Sequence, residues 1–447
     1  MSHQHTTPRL GYLALTVSAL FLAACGGSDS RPATNTKPPA AAEQHDAGRL
    51  AVVNAEADSK QLHIWSLDQN RSLHQVTLAD PVTALYPSPD RRYTMVVQRP
   101  QGMIRFIDSG YELEPHGDHF HQSLQKIQLL NFTLQGTTPA HVNQFEQQVS
   151  IFFDGHRGAT EPVTTPYAPA QIQVLTDQLI AKSASWSHTL PTNMHASAET
   201  RGDYLLAPRR DTSIEPYNPL PTHIDLYRRD GTGFTLSKNF ITECPAIHGS
   251  ASIEDYSVFA CSDGVLVIGQ DGDQFFERKI MNPVGMLKAD GKPARIGSFT
   301  AHHALDTMVG KADESLYAVN PADNNIQKID WLAGDSANPT AKALSYKIDP
   351  SGHYLVILDN LGRIHVLDAE DDFKVLARIN AISSMPESGT PAWAFSQHNH
   401  DLFISDAAQK TIQVIDLKTQ ELKSSIALGF APAQVTWLGW TQEEHQH

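Results

Sequence analysis

Apolar and polar residues alternate along this chain in short runs, and the runs come in pairs. Residues 49–68, RLAVVNAEADSKQLHIWSLD, hold two such runs around a polar turn, and residues 314–332, 353–371 and 401–420 repeat the outline. Alternation with a period of two predicts strands with one buried face, and the polar turns between them predict hairpins. Each unit is an apolar strand closed by Asp or Asn, a hairpin, and a second strand closed by an apolar residue and Asp. Long amphipathic helices are lacking. Repeats of roughly 40–50 residues built only from strands predict a β-propeller.

Each repeat opens with its innermost strand, just ahead of the first apolar run. These openings fall near Ala84, His141, His195, His248, His302, Leu344, Ala394 and Val435. The last opening has no partner strands after it, and the first strands of the chain have no opening before them. Joining the two closes the ring in one shared blade. The expectation is an all-β, eight-bladed propeller, with seven blades as the alternative if one opening is misread.

The N-terminus changes where this body is expected. A polar start with Arg9 leads into the apolar run LGYLALTVSALFLAAC, too short for an ordinary membrane span, which ends in Leu22, Ala23, Ala24 and Cys25. That ending resembles a bacterial lipobox, in which the cysteine is lipidated and becomes the mature N-terminus; a plain secretory signal is the alternative. Gly26 in place of Asp implies, in such signals, sorting to the outer membrane of a Gram-negative cell. Residues 26–46 are rich in Gly, Ser, Pro and Ala, a composition that builds no core and reads as a tether. The organisation expected is a lipoprotein signal peptide over 1–24, an anchored tether over 25–46, the propeller over 47–442 and a tail over 443–447. The destination is the periplasm, with a lipid anchor as the sole membrane attachment.

Composition adds two points. The chain has 447 residues and a formal net charge of −15, which disfavours a nucleic-acid partner because phosphate backbones bind basic surfaces. Of three cysteines, Cys25 is assigned to the lipid, which leaves Cys244 and Cys261. In an oxidising compartment this pair is expected to form a disulfide; a cysteine-based metal site is the rival, weakened because its thiolates would oxidise there.

Histidine carries the candidate chemistry, with 22 in the chain. Four openings contain one, and His141, His195, His248 and His302 are separated by 54, 53 and 54 residues. Equivalent positions on consecutive innermost strands face the same axis, so these four are expected to converge on one mouth of the central channel. Convergent imidazoles suit a metal ion, and channel lining satisfied by water is the plain alternative. His303, beside His302, is not separated from it by this register.

A second group lies in ELEPHGDHFHQ, residues 112–122. Pro115 and Gly117 disfavour a helix. In an extended chain His119 and His121 share a face and can chelate one ion. Asp118 can add an oxygen ligand or fix a histidine tautomer, and His116 can join. A loop here is placed to fold over the channel mouth. A nitrogen-rich site with at most one carboxylate suits Zn²⁺, although copper(II) and nickel(II) also favour imidazole and copper would win on affinity alone. The remaining histidines read as structural or surface residues. His156, His353, His398 and His400 fall in turns, His223 and His365 in strands, and His445 and His447 in the tail, with His188 kept as a reserve ligand.

Taken together, EPHGDHFH, PAHV…IFFDG, the stretch CPAIHG…VFACSDGVLV and the HH at His302 and His303, from about Leu50 to the last blade, resemble the periplasmic zinc metallochaperones of AztD type. The resemblance implies a β-propeller that binds zinc and delivers it to the solute-binding protein of an ABC zinc importer. It implies a zinc site drawn from His116, Asp118, His119 and His121 with His141, His195, His248 and His302, no catalytic turnover, and a Cys244–Cys261 disulfide. The lipobox is a departure, since the family is largely freely soluble.

Two other functions fit the same residues. A propeller hydrolase or lactonase would use a metal-activated water with Asp118 as base, but no second acidic cluster and no nucleophile motif accompany the openings. A metal-free protein-interaction propeller would leave the histidines lining a wet channel.

Overall fold

The structure, a computed structural model, describes residues 47–116, 119–155, 168–210 and 220–440, without the side chains of 113–122. The signal peptide, tether, Cys25, Asp118, His156 and tail lie outside the described residues.

Among the described residues the strands form eight four-stranded antiparallel sheets and one two-stranded ribbon. Blade 1 opens at Ala84–Pro87, blade 2 at Pro139–Phe145, blade 3 at Glu199–Arg201 and blade 4 at Ser250–Ile253. Blades 5 to 7 open at Ser298–Thr300, Ala343–Ile348 and Trp393–Phe395. Blade 8 is shared. Its inner strand is Pro432–Leu438, near the end of the chain, and Arg49–Asn54, Gln61–Ser66 and Arg71–Thr77 complete it. The joint pairs Leu50 with Trp437 and Val52 with Val435 in antiparallel register. This is the eight-bladed, terminally closed propeller expected from the alternation of apolar residues.

The apolar faces meet between neighbouring blades. Val258, Val265 and Val267 of blade 4 pack on Met308 and Val319 of blade 5. Ala51, Leu62 and Ile64 of blade 8 pack on Val96 and Ile107 of blade 1. Each sheet thus buries both faces except at the ring's inner and outer edges, which leaves the inner strands to line the axis with polar groups. The disulfide forms between Cys244 and Cys261, with Cα atoms 4.8 Å apart.

Strand direction fixes two ends of the molecule. Every inner strand starts at the end that carries the inter-blade connections and the turns between second and third strands; we call it the upper face. The turns between first and second strands, and between third and fourth, lie at the lower face.

Two expectations change at this level. First, His302 does not align with the other three openings. Blades 4 and 5 open at Ser250 and Ser298, 48 residues apart (298 − 250), whereas His248 and His302 are 54 apart (302 − 248). The four strands of blade 4 span only residues 250–281, against 199–239 in blade 3, so blade 5 opens early and an even spacing of 54 residues in sequence overshoots by six in the fold. His302 follows its inner strand and sits at the lower face. Second, the ribbon Tyr111–His116 with His119–Leu124 leaves blade 1 between its third strand, Met103–Asp108, and its fourth, Gln128–Gln135. The ribbon bearing the HGDHFH motif is therefore rooted at the lower face, where Arg92 pairs with Asp108 and Glu112. It does not spring from the mouth at which the opening histidines gather.

Candidate metal centre

His141, His195 and His248 meet at the upper mouth, each brought there by a different local device. His141 lies near the start of blade 2's inner strand, beside an irregularity in register between Pro139 and His141. A bulge of this kind re-aims the next side chain, here toward the axis. His195 lies in the connection ahead of blade 3, where the Met194 amide donates to the Asp154 carbonyl at 3.1 Å. His248 ends the connection ahead of blade 4, which is the most firmly held of the three. Its backbone is tied at Cys244 to the Thr222 carbonyl and at Ile247 to the Pro221 carbonyl, and the disulfide staples it to the residue that follows blade 4's second strand, Tyr256–Ala260. Ala246 adopts a left-handed φ of 53° that these ties and the Arg295 side chain enforce. Gly249 follows at φ 85°, where a Cβ would lie 2.6 Å from the Gly297 carbonyl oxygen, so only glycine lets the chain turn there.

The three Nε2 atoms converge. His195 Nε2 is 3.3 Å from that of His141 and 3.1 Å from that of His248. Two ring tautomers are set by the opposite nitrogens. His248 Nδ1 lies 2.8 Å from the Gly297 carbonyl, which can only accept, so Nδ1 donates and Nε2 keeps its lone pair. His195 Nδ1 lies 2.8 Å from Asp154 Oδ2 and donates in the same way. Lone pairs therefore face one another across 3.1 Å, an arrangement that calls for a cation between them. Bonds of ~2.0–2.1 Å to a tetrahedral zinc place its nitrogen ligands roughly 3.3–3.4 Å apart, close to the separations found.

Electrostatics agree. Burial, then the neighbouring His195 and His248, and Arg99, pull the His141 imidazole from 6.5 down to about 3. Burial also lowers His248. Both rings are therefore neutral and able to ligate at physiological pH. The three nitrogens form the one group of candidate ligands among the described residues whose atoms all lie within 4.8 Å of one another. Three imidazoles leave a fourth tetrahedral position open.

Of the other predicted ligands, His302 lies apart. At the lower face, His302 Nε2 donates to the Pro350 carbonyl at 2.9 Å, and its Nδ1 accepts from the Ala304 amide at 3.2 Å. Both nitrogens are occupied, which explains the residue without a metal. The ring stacks near His303 at 4.3 Å. Asp118, and the side chains of His116, His119 and His121, are outside those described. The reserve ligand His188 lies on blade 2's outermost strand, Trp186–Thr189, against Tyr227. His365 is fully buried, 2.9 Å from Asp359 Oδ2. Sequence reasoning missed Asp154. Its position at the end of a strand, in FFDG, reads as a turn residue, and only the packing of blade 2 on blade 3 shows its partner.

No family model matches this chain. Among solved structures it is similar to apo AztD from Citrobacter koseri, with a TM-score of 0.70 and 16% identity over 88% of this chain and 98% of that one. A second structure of Citrobacter koseri AztD gives 0.71 and 16% over 89% and 99%. The dihydro-heme d1 dehydrogenase NirN gives 0.51 and 10% over 91% and 77%. At these identities the likeness is one of fold.

Proposed function

We propose that this protein is a periplasmic zinc metallochaperone that carries Zn²⁺ as cargo and releases it to the solute-binding protein of an ABC zinc importer. The observation that carries the reading is the convergence of the Nε2 atoms of His141, His195 and His248, with two rings held as Nδ1 donors. A three-nitrogen site with an open fourth position suits an ion that must leave. An acceptor ligand can enter the vacant position before the first histidine departs, so the ion is never stripped of ligands. The fold shared with AztD supports the same reading.

The hairpin residues His116, Asp118, His119 and His121 enter this proposal as a separate imidazole-rich group, because the ribbon is rooted at the lower face. Cys25 enters it as the lipid anchor that would keep the chaperone at the outer membrane. A hydrolytic zinc site usually has a carboxylate base free beside the metal. The Asp154 Oδ2 atom is committed to His195, which favours cargo over catalysis.

The test is metal content by mass spectrometry on protein purified without a histidine tag and passed over a weak chelator. Stoichiometric zinc, followed by transfer to a zinc-binding partner protein, supports the reading. No bound metal, and none taken up from buffered zinc, overturns it and leaves an interaction propeller.

A further inference from the structure

The inner strands of blades 2, 3 and 4 each form the edge of a separate sheet. No backbone ladder joins one to the next, so side chains must set the spacing of the three histidines. A continuous polar network lies one layer deeper in the channel and does this. Asn143, Ser197 and Ser250 stand two residues after His141, His195 and His248 respectively, and their side chains meet in one layer. Glu199, 1% exposed, opens the blade 3 strand at the centre of that layer. Its Oε1 accepts from Asn143 Nδ2 of blade 2 and from Ser250 Oγ of blade 4, the latter at 2.6 Å. Its Oε2 accepts from Ser252 Oγ at 2.8 Å. Ser250 Oγ also meets Asn143 Nδ2 at 2.9 Å and Ser197 Oγ at 2.6 Å.

We infer that Glu199 is a positioning residue for the histidine cluster: one carboxylate joins the three inner strands that carry or closely follow the three imidazoles and sets the separation of their Nε2 atoms. The inference rests on the reading that these histidines bind a metal. It also accounts for a charge. Three neutral imidazoles bring none to a dication, whereas the carboxyl groups of Asp154, beside His195, and Glu199, one layer deeper, are placed to offset it when ionised. Burial makes Glu199 more reluctant to ionise; the hydrogen bonds of Ser250, Asn143 and Ser252, and Arg201 nearby, oppose this. A dication above it would act in the same direction as those donors.

Cobalt(II) is the probe, because its visible absorption is intense in tetrahedral surroundings and weak in octahedral ones. Wild-type protein is expected to bind one equivalent at the cluster with intense bands. Glu199→Ala is expected to lose that intensity and to weaken zinc by ~10-fold or more, the usual range for groups that orient ligands, with an unchanged circular dichroism spectrum. Glu199→Gln, which keeps an acceptor and the shape but not the charge, is expected to keep the bands while binding zinc less tightly than wild type. Glu199→Ala with bands and affinity like wild type would overturn the inference. If that variant does not fold, Ser250→Ala removes one donor from the carboxylate, and unchanged bands and affinity there would overturn it equally. A wild-type protein that binds neither cobalt nor zinc instead overturns the metal-binding reading on which this stands, and the two failures are told apart by the wild type alone.

Discussion

His195 Nδ1 lies 2.8 Å from Asp154 Oδ2, and the two residues come from different blades. The carboxylate closes blade 2's second strand, and the imidazole precedes blade 3's first. This contact fixes which ring nitrogen of His195 is left for a metal. Replacing Asp154 with Ala should therefore weaken zinc binding by ~10–100-fold, the range typical of a carboxylate behind a metal-bound histidine. Asp154→Asn should lie between it and wild type, because the amide oxygen can still accept. Competition against a chromophoric zinc chelator measures both; equal affinities in all three proteins would show that the contact does not serve the site.

Alanine at His141, His195 or His248 should remove tight binding, whereas His302→Ala should leave it within a few-fold of wild type. The distinction follows from the two occupied nitrogens of His302. Calorimetric zinc titration of the four single variants decides the matter, and a large loss in His302→Ala would contradict the assignment.

The double variant His119→Ala, His121→Ala should leave the affinity of the upper cluster unchanged, because its ribbon is rooted at the lower face. If the ribbon holds an ion of its own, the stoichiometry should fall by one. Loss of the tight site in this variant would mean that the ribbon reaches the upper mouth.

The metal-free protein should lose stability on acidification in a way that depends on His141. Its pKa is about 3 in the folded chain against an ordinary 6.5. Between those values the unfolded chain binds a proton there and the folded chain does not. Stability is therefore full above roughly pH 6.5 and declines as pH falls toward 3. Thermal unfolding with chelator present should show a shallower decline between pH 7 and pH 4 for His141→Asn than for wild type. Parallel slopes would refute it.

Removing the Cys244–Cys261 bridge should lower stability by ~3 kcal/mol, the value of the chain-entropy model for a loop of this size. It should also loosen the connection that presents His248. Cys244→Ala with Cys261→Ala is thus expected to weaken zinc more than it perturbs the other blades. Denaturant unfolding and zinc competition on the same preparation separate the two effects.

The sequence by itself determined the architecture. Alternation of apolar and polar residues is a local signal, and strands at Ala84–Pro87, Ala343–Ile348 and Trp393–Phe395 form where it changes phase. Unmatched strands at the two termini were enough to require their pairing, realised as Val52 against Val435. It also carried the three clustered histidines, since whole repeats of 54 and 53 residues brought His141, His195 and His248 to the same mouth. Tertiary structure alone decided the rest. His302 fits the numerical spacing but not the site, because spacing counts loop residues and strand residues alike. The HGDHFH ribbon belongs to the lower face because strand direction alternates, and that parity is known only once the strands of blade 1 are counted. Asp154 and Glu199 act through partners on other blades. No periodicity along the chain encodes contacts that exist only when separate sheets are packed face to face around an axis.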